Sequence, residues 1–123
     1  LDGWVQRRNA IAARYTEALA DHLHLSPPSV RPGAYHAWHQ YCIQTDHASA
    51  FVEHMDRNHI DARRYYTTPI HCQQVFQNHS QYQISLPVTD HLGQTLVAIP
   101  VMHELHDEEI ERIVKALITF NPS

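Results

Sequence analysis

Apolar residues recur at helical spacing at both ends of this chain, with shorter and more mixed runs between. Leu1, Trp4, Ile11, Ala12, Tyr15 and Leu19 share one stripe, with Arg7, Arg14 and Glu17 off it, which predicts an amphipathic helix over residues 2–22. At the other end Ile110, Ile113, Val114, Leu117 and Ile118 repeat at i, i+3, i+4, i+7 and i+8, while Glu108, Glu111, Arg112 and Lys115 take the opposite face; this is the clearest helix of the sequence. Pro27, Pro28, Pro32 and Gly33 break the chain after the first helix. Trp38, Tyr41 and Ile43 supply the aromatic and β-branched character of a strand over residues 35–45. Asp46 is placed to cap a second helix, over residues 47–59, with Ala48, Phe51, Val52 and Met55 on one side. A short strand over residues 60–66 then completes a β-α-β unit.

Beyond Pro69 the pattern weakens. Residues 72–78 suit a short helix, residues 81–85 are polar, and Pro87 suits the start of another short helix. Residues 95–99 form a brief apolar run ended by Pro100, which reads as a third, buried strand. Helices and strands are mixed, with connections too short for a doubly wound sheet. The expected fold class is therefore α+β: a small antiparallel or mixed sheet of about three strands packed against helices, in one domain spanning residues 1–123.

Composition narrows the function. With 123 residues, 43% of them hydrophobic, the chain buries one core. A formal charge of −4 with no basic stripe argues against nucleic acid as a partner, and no apolar run approaches the roughly 20 residues a membrane helix requires. Cys42 and Cys72 make neither a disulfide framework nor a C-x-x-C pair, which fits a reduced, cytoplasmic setting. The twelve histidines lack ligand spacing: in strand geometry His36 and His39 point to opposite faces, and His22 and His24 flank a helix end, so no metal site is expected.

Two clusters carry candidate chemistry. The run Arg63-Arg64-Tyr65-Tyr66-Thr67-Thr68-Pro69-Ile70-His71 sets phenolic, guanidinium and imidazole groups around a proline-fixed turn, and reads as one wall of a substrate pocket. Alternation puts Arg63 and Arg64 on opposite sides, so one of them at most faces any given pocket. In His36-Ala37-Trp38-His39-Gln40-Tyr41 the aromatics also read as core residues whose polar tips find backbone partners.

Taken in order, these clusters and the segments Leu86-Pro87-Val88-Thr89-Asp90, Ala98-Ile99-Pro100 and Leu105 to Ile110 resemble the C-terminal domain of the DegT/StrS family of sugar aminotransferases, a small domain of fold-type I pyridoxal-phosphate enzymes. The likeness spans nearly the whole chain, starting from the family's helix leading out of a large domain, which residues 1–22 resemble. It implies a parent enzyme that uses pyridoxal 5′-phosphate to move an amino group, usually from glutamate, to a nucleotide-linked keto-sugar. The matching pocket positions are Tyr66, Pro69 and His71, with His36 and His39 as further substrate-binding candidates. Such chemistry needs a lysine to hold the cofactor. The one lysine here, Lys115, lies on the polar face of the terminal helix, and Gly3, Gly33 and Gly93 form no phosphate cradle. The chain is accordingly expected to be a fragment, inactive and cofactor-free without its large-domain partner. The different-class alternative is a free-standing domain of the same fold that binds a sugar nucleotide or a protein without turnover.

Three positions depart from the family's wording: Asp90 for a more usual glutamate, His106 for a capping Ser or Thr (with Asp107 expected to cap instead), and Met102-His103 for a proline-containing turn. None of them is expected to touch the pocket motif. Trp4, Val5 and Tyr15 are expected to leave apolar surface exposed on the first helix, which favours a homo-oligomer.

Overall fold

A computed structural model describes residues 1–122. Helix α1 (Asp2–Ala18) leads through a loop to strand β1 (Tyr41–Gln44) and helix α2 (Ala48–Arg57). A 3₁₀ turn (Ile70–Cys72) follows, then helix α3 (Gln74–Gln77) and a second 3₁₀ turn (Ser80–Tyr82). Helix α4 (Pro87–Thr95) runs directly into strand β2 (Leu96–Ile99), and helix α5 (Asp107–Thr119) closes the chain. The α+β class holds, but the sheet does not have three full strands among the described residues. β1 and β2 pair antiparallel, Tyr41 opposite Ile99 and Gln44 opposite Leu96, and single bridges flank them at Ser26 against Gln44 and Arg63 against Ala98.

The expected strand over residues 60–66 is thus reduced to one bridge, where Arg63 and Ala98 exchange N–H···O bonds of 2.9 and 2.7 Å. Pro100, with no N–H, ends the ladder on one side. On the other, α4 occupies the place of further β2 residues, and the guanidinium of Arg64, rather than backbone, reaches the carbonyls of Gln94 at 2.9 Å and Gly93 at 3.4 Å. Because β1 and the Arg63 segment both run antiparallel to β2, they are parallel to each other. The β-α-β expectation survives as a split unit with β2 inserted between its arms.

The strand expected from residue 35 begins only at Tyr41. Trp38 has φ 48°, a left-handed conformation no extended strand accepts, and its N–H bonds His36 Nδ1 at 2.8 Å. Asn9 of α1 holds this bend in place, accepting from Trp38 Nε1 at 3.1 Å and donating to the His36 carbonyl at 2.8 Å. His36 and His39 are consequently not the two faces of one strand.

One core joins α1, α2, α5 and the inner face of the ladder: Ile11, Tyr15 and Leu19, Phe51 and Met55, Ile110 and Leu117, with Tyr41, Ile43, Val97 and Ile99 beneath them. Burying each large side chain contributes about 1.5–3 kcal/mol. Trp4 is half exposed, as expected from the sequence, and stacks on His103 at 4.6 Å, but Tyr15 is fully buried. At the start of α2 the cap is His47 rather than Asp46, its N–H bonded to Thr45 Oγ1 at 3.1 Å. At α5 the first residue, Asp107, does not cap; it pairs with Arg7 of α1 at 2.7 Å, while Glu109 accepts the His106 N–H at 2.8 Å.

Tyr15 gives a pH test. Its hydroxyl donates to the Pro100 carbonyl at 3.0 Å, and burial pushes its pKa above the ordinary tyrosine range. A raised pKa in the folded state means that stability is fully present below about pH 10 and is lost as pH rises beyond it. Tyr15→Phe is expected to cost about 1–2 kcal/mol at neutral pH, from the abandoned carbonyl, and to flatten the alkaline fall in melting temperature. An unchanged alkaline slope in that variant would place the titration elsewhere.

Candidate functional site

The loop after Arg63 crosses the outer side of the sheet, and α4 lies against it. Gly93 marks their close approach: a Cβ there would stand 3.4 Å from the Tyr66 carbonyl oxygen and 3.6 Å from Pro69 Cγ. Between loop and helix is a hollow of about 290 Å³ lined by Tyr65, Tyr66, Pro69, Thr89, Leu92 and Leu96. Across Ile70 and Thr89, which line both, a more apolar hollow of about 380 Å³ holds His71 with Phe76 and Leu86. The His71 side chain is 11% exposed, and its Nε2 lies 3.1 Å from Asp90 Oδ1 in the first turn of α4. Tyr66, by contrast, is 76% exposed at the rim. Contact between Asp90 and His71 corrects the expectation that the Asp90 departure lies clear of the pocket motif.

Gly93→Ala is expected to be tolerated, since its Cβ meets the loop at ordinary contact distance and alanine favours the helix by up to about 1 kcal/mol. Gly93→Leu carries branches into Pro69 and is expected to lower the melting temperature. Equal melting of the two variants would mean that this approach is not close-packed.

A third hollow, of about 420 Å³, lies on the other side of Tyr65, with Arg8, His39, Asp61, Arg63 and Met102 around it. Arg63 Nε bonds both oxygens of Asp61, at 2.8 and 2.9 Å, which holds the guanidinium more firmly protonated. Arg63 therefore faces this hollow while Arg64 turns to α4, as alternation requires. Tyr65 lines both this hollow and the one beside α4.

The structure thus brings Tyr66, Pro69 and His71 to one turn and adds His39 across Tyr65. His36 is not among them: its ring lies tilted against Trp38 at 4.1 Å and lines a separate hollow beside α1 with Tyr35 and Thr16. Arg8, Asp61, Asp90 and Leu92 were not singled out from the sequence as pocket residues. For Thr89, Leu92 and Leu96 the signal was present, as one face at helical spacing after Pro87, once α4 is given its full length.

Lys115 is exposed on α5 and lines none of these hollows. The glycines form no phosphate-binding turn at a helix start. Among the described residues there is accordingly no amine and no cradle fitted to pyridoxal phosphate, and this chain by itself does not suit that cofactor. No helix among the described residues is long and apolar enough to cross a membrane.

The model of the DegT/DnrJ/EryC1/StrS aminotransferase family matches residues 1–118. Among curated proteins the chain is 26% identical to the dTDP-3-amino-3,4,6-trideoxy-alpha-D-glucose transaminase of Streptomyces venezuelae, over 95% of this chain and 31% of the relative. It is 32% identical to the UDP-N-acetyl-3-dehydro-alpha-D-glucosamine 3-aminotransferase of Acidithiobacillus ferrooxidans, over 89% of this chain and 29% of the relative. Among solved structures it superposes on S. venezuelae DesV, in complex with a ketimine intermediate, with TM-score 0.89 and 25% identity, covering 95% of this chain and 32% of the other. The chain spans about a third of the length of the relatives it matches.

Proposed function

Because this chain belongs to the DegT/DnrJ/EryC1/StrS aminotransferase family, we propose that it works as the C-terminal domain of a pyridoxal-phosphate-dependent enzyme that transfers an amino group, from glutamate, to a nucleotide-linked keto-sugar. The observation that carries the reading is the joint one: a match along residues 1–118 to proteins about three times as long, in a chain whose only lysine is exposed and outside every hollow around the motif. A lysine-bearing large domain supplies cofactor and proton transfer; this domain supplies a wall of the substrate pocket. Tyr66 at the rim and His71 in the adjoining hollow are suited to hydrogen-bond sugar hydroxyls, and His39 with Arg8 and Arg63 to meet the anionic part of the same ligand. His36 has no part in this wall.

We propose a cytoplasmic setting for the enzyme, a reading that its two free cysteines support. We further propose a homo-oligomer, the half-exposed Trp4 and Met102 lying on surface available to another domain or copy.

The test is the reading frame upstream of the Leu1 codon, followed by assay of its whole product. The expected result is a continuous frame encoding a lysine-bearing domain, and a purified product that consumes glutamate and a nucleotide keto-sugar in the presence of pyridoxal phosphate. A start codon at the boundary, with a product that binds the sugar nucleotide but does not turn it over, would replace the enzyme by a free-standing binding domain.

A further inference from the structure

We propose that His71, Cys72 and Asp90 form a binding site for one soft divalent cation of the zinc(II) class. The sequence hides this site, because two ligands are neighbours on the Pro69 turn and the third arrives from α4. In the fold, one ligand atom from each residue lies within 4.8 Å of the other two. Ligand atoms around a tetrahedral zinc stand about 3.3–3.8 Å apart, so closing the site asks for about 1 Å of side-chain movement at its widest pair.

The donor set suits this class of ion. A thiolate, a carboxylate and a neutral imidazole bring two negative charges to balance the cation, and sulfur with imidazole selects zinc-like ions over calcium or magnesium, which take oxygen cages. Three protein ligands leave a fourth position for water. Cys72 is exposed and provides the path of entry. His71 is nearly covered, with the apolar hollow of Phe76 and Leu86 beside it, where a low dielectric strengthens the charge pairing.

The backbone under the ligands is already fixed. Cys72 N–H bonds the Pro69 carbonyl at 2.9 Å, the Cys72 carbonyl accepts from Gln77 Nε2 at 3.4 Å, and Asp90 N–H bonds the Leu86 carbonyl at 2.9 Å. A bound ion would therefore tie the turn to α4 through side chains alone. On the aminotransferase reading it would also withdraw the His71 imidazole from the sugar and so inhibit; the metal site itself does not depend on that reading.

The test uses the 123-residue chain free of any affinity tag, with cobalt(II) as spectroscopic probe and zinc(II) in calorimetry. One equivalent of cobalt is expected to give a thiolate-to-metal charge-transfer band, absent in Cys72→Ser and retained in Cys42→Ser. His71→Ala and Asp90→Asn are each expected to weaken zinc binding by about tenfold or more. Cys72→Ser leaves the fold unthreatened because its side chain is exposed. Absence of stoichiometric binding, or binding without a thiolate band and unchanged in Cys72→Ser, would overturn the proposal and assign any bound metal to histidines elsewhere.

Discussion

Replacing Phe51 with alanine is expected to destabilise the chain by about 3–5 kcal/mol, a large part of the roughly 5–15 kcal/mol that holds a domain together. Phe51 is fully buried on α2 and meets Phe120 edge to face, with ring centroids 5.1 Å apart. Phe120 follows α5 directly and also carries the ring of His54 at 5.4 Å, so the pair ties two helices to one another across the core. Truncation leaves a cavity that three helices and a short sheet cannot collapse to fill. Ile118→Ala is expected to change stability by no more than about 0.5 kcal/mol, because that side chain is 58% exposed although it belongs to the same apolar repeat as Leu117. Urea unfolding followed by far-ultraviolet circular dichroism measures both. Comparable losses in the two variants would mean that α5 is rotated from the orientation described, with Ile118 inside.

That contrast shows what kind of information the sequence carried. Period alone found α1, α2 and α5, since each places apolar residues at helical spacing along a buried stripe. It did not find which edge of the α5 stripe faces water, because Ala116 and Ile118 are decided by where α1 and α2 sit. The strand from residue 35 was overextended for a local reason: aromatic and β-branched residues favour strands, but Asn9 of α1 fixes Trp38 in a left-handed bend. The strand expected over residues 60–66 was lost to topology, since α4 and Pro100 limit β2 to four residues and Arg63 meets it in a single bridge. In the candidate site, the nearness of Tyr66 and His71 was legible because they flank one proline-fixed turn. His36 and His39 were named together only through the family resemblance, and the bend at Trp38 sends them to separate hollows, while Asp90 became visible only when α4 was laid against the turn.

On the proposed aminotransferase reading, His71→Ala in the whole enzyme is expected to lower kcat/KM for the nucleotide sugar by about 10- to 100-fold, the loss of one well-placed hydrogen bond to a desolvated ligand. The neighbouring carboxylate gives this residue a defined role. Asp90 Oδ1 stands 3.1 Å from Nε2 and the ring is nearly buried, so the carboxylate and the covering side chains set the orientation in which the imidazole is offered. Asp90→Asn keeps the size of the partner but removes its charge; a smaller loss, about tenfold, is expected, through orientation of His71 rather than contact with the sugar. Tyr66→Phe removes a rim hydroxyl that is mostly exposed, and a loss at or below that of Asp90→Asn follows. On that reading all three changes lie in the proposed substrate wall, so the absorbance of the bound cofactor and the half-reaction with glutamate are expected to stay as in the unmodified enzyme. A fall in the glutamate half-reaction equal to that with the sugar would show that His71 supports the fold or the cofactor domain, and the substrate-wall reading of this turn would be wrong.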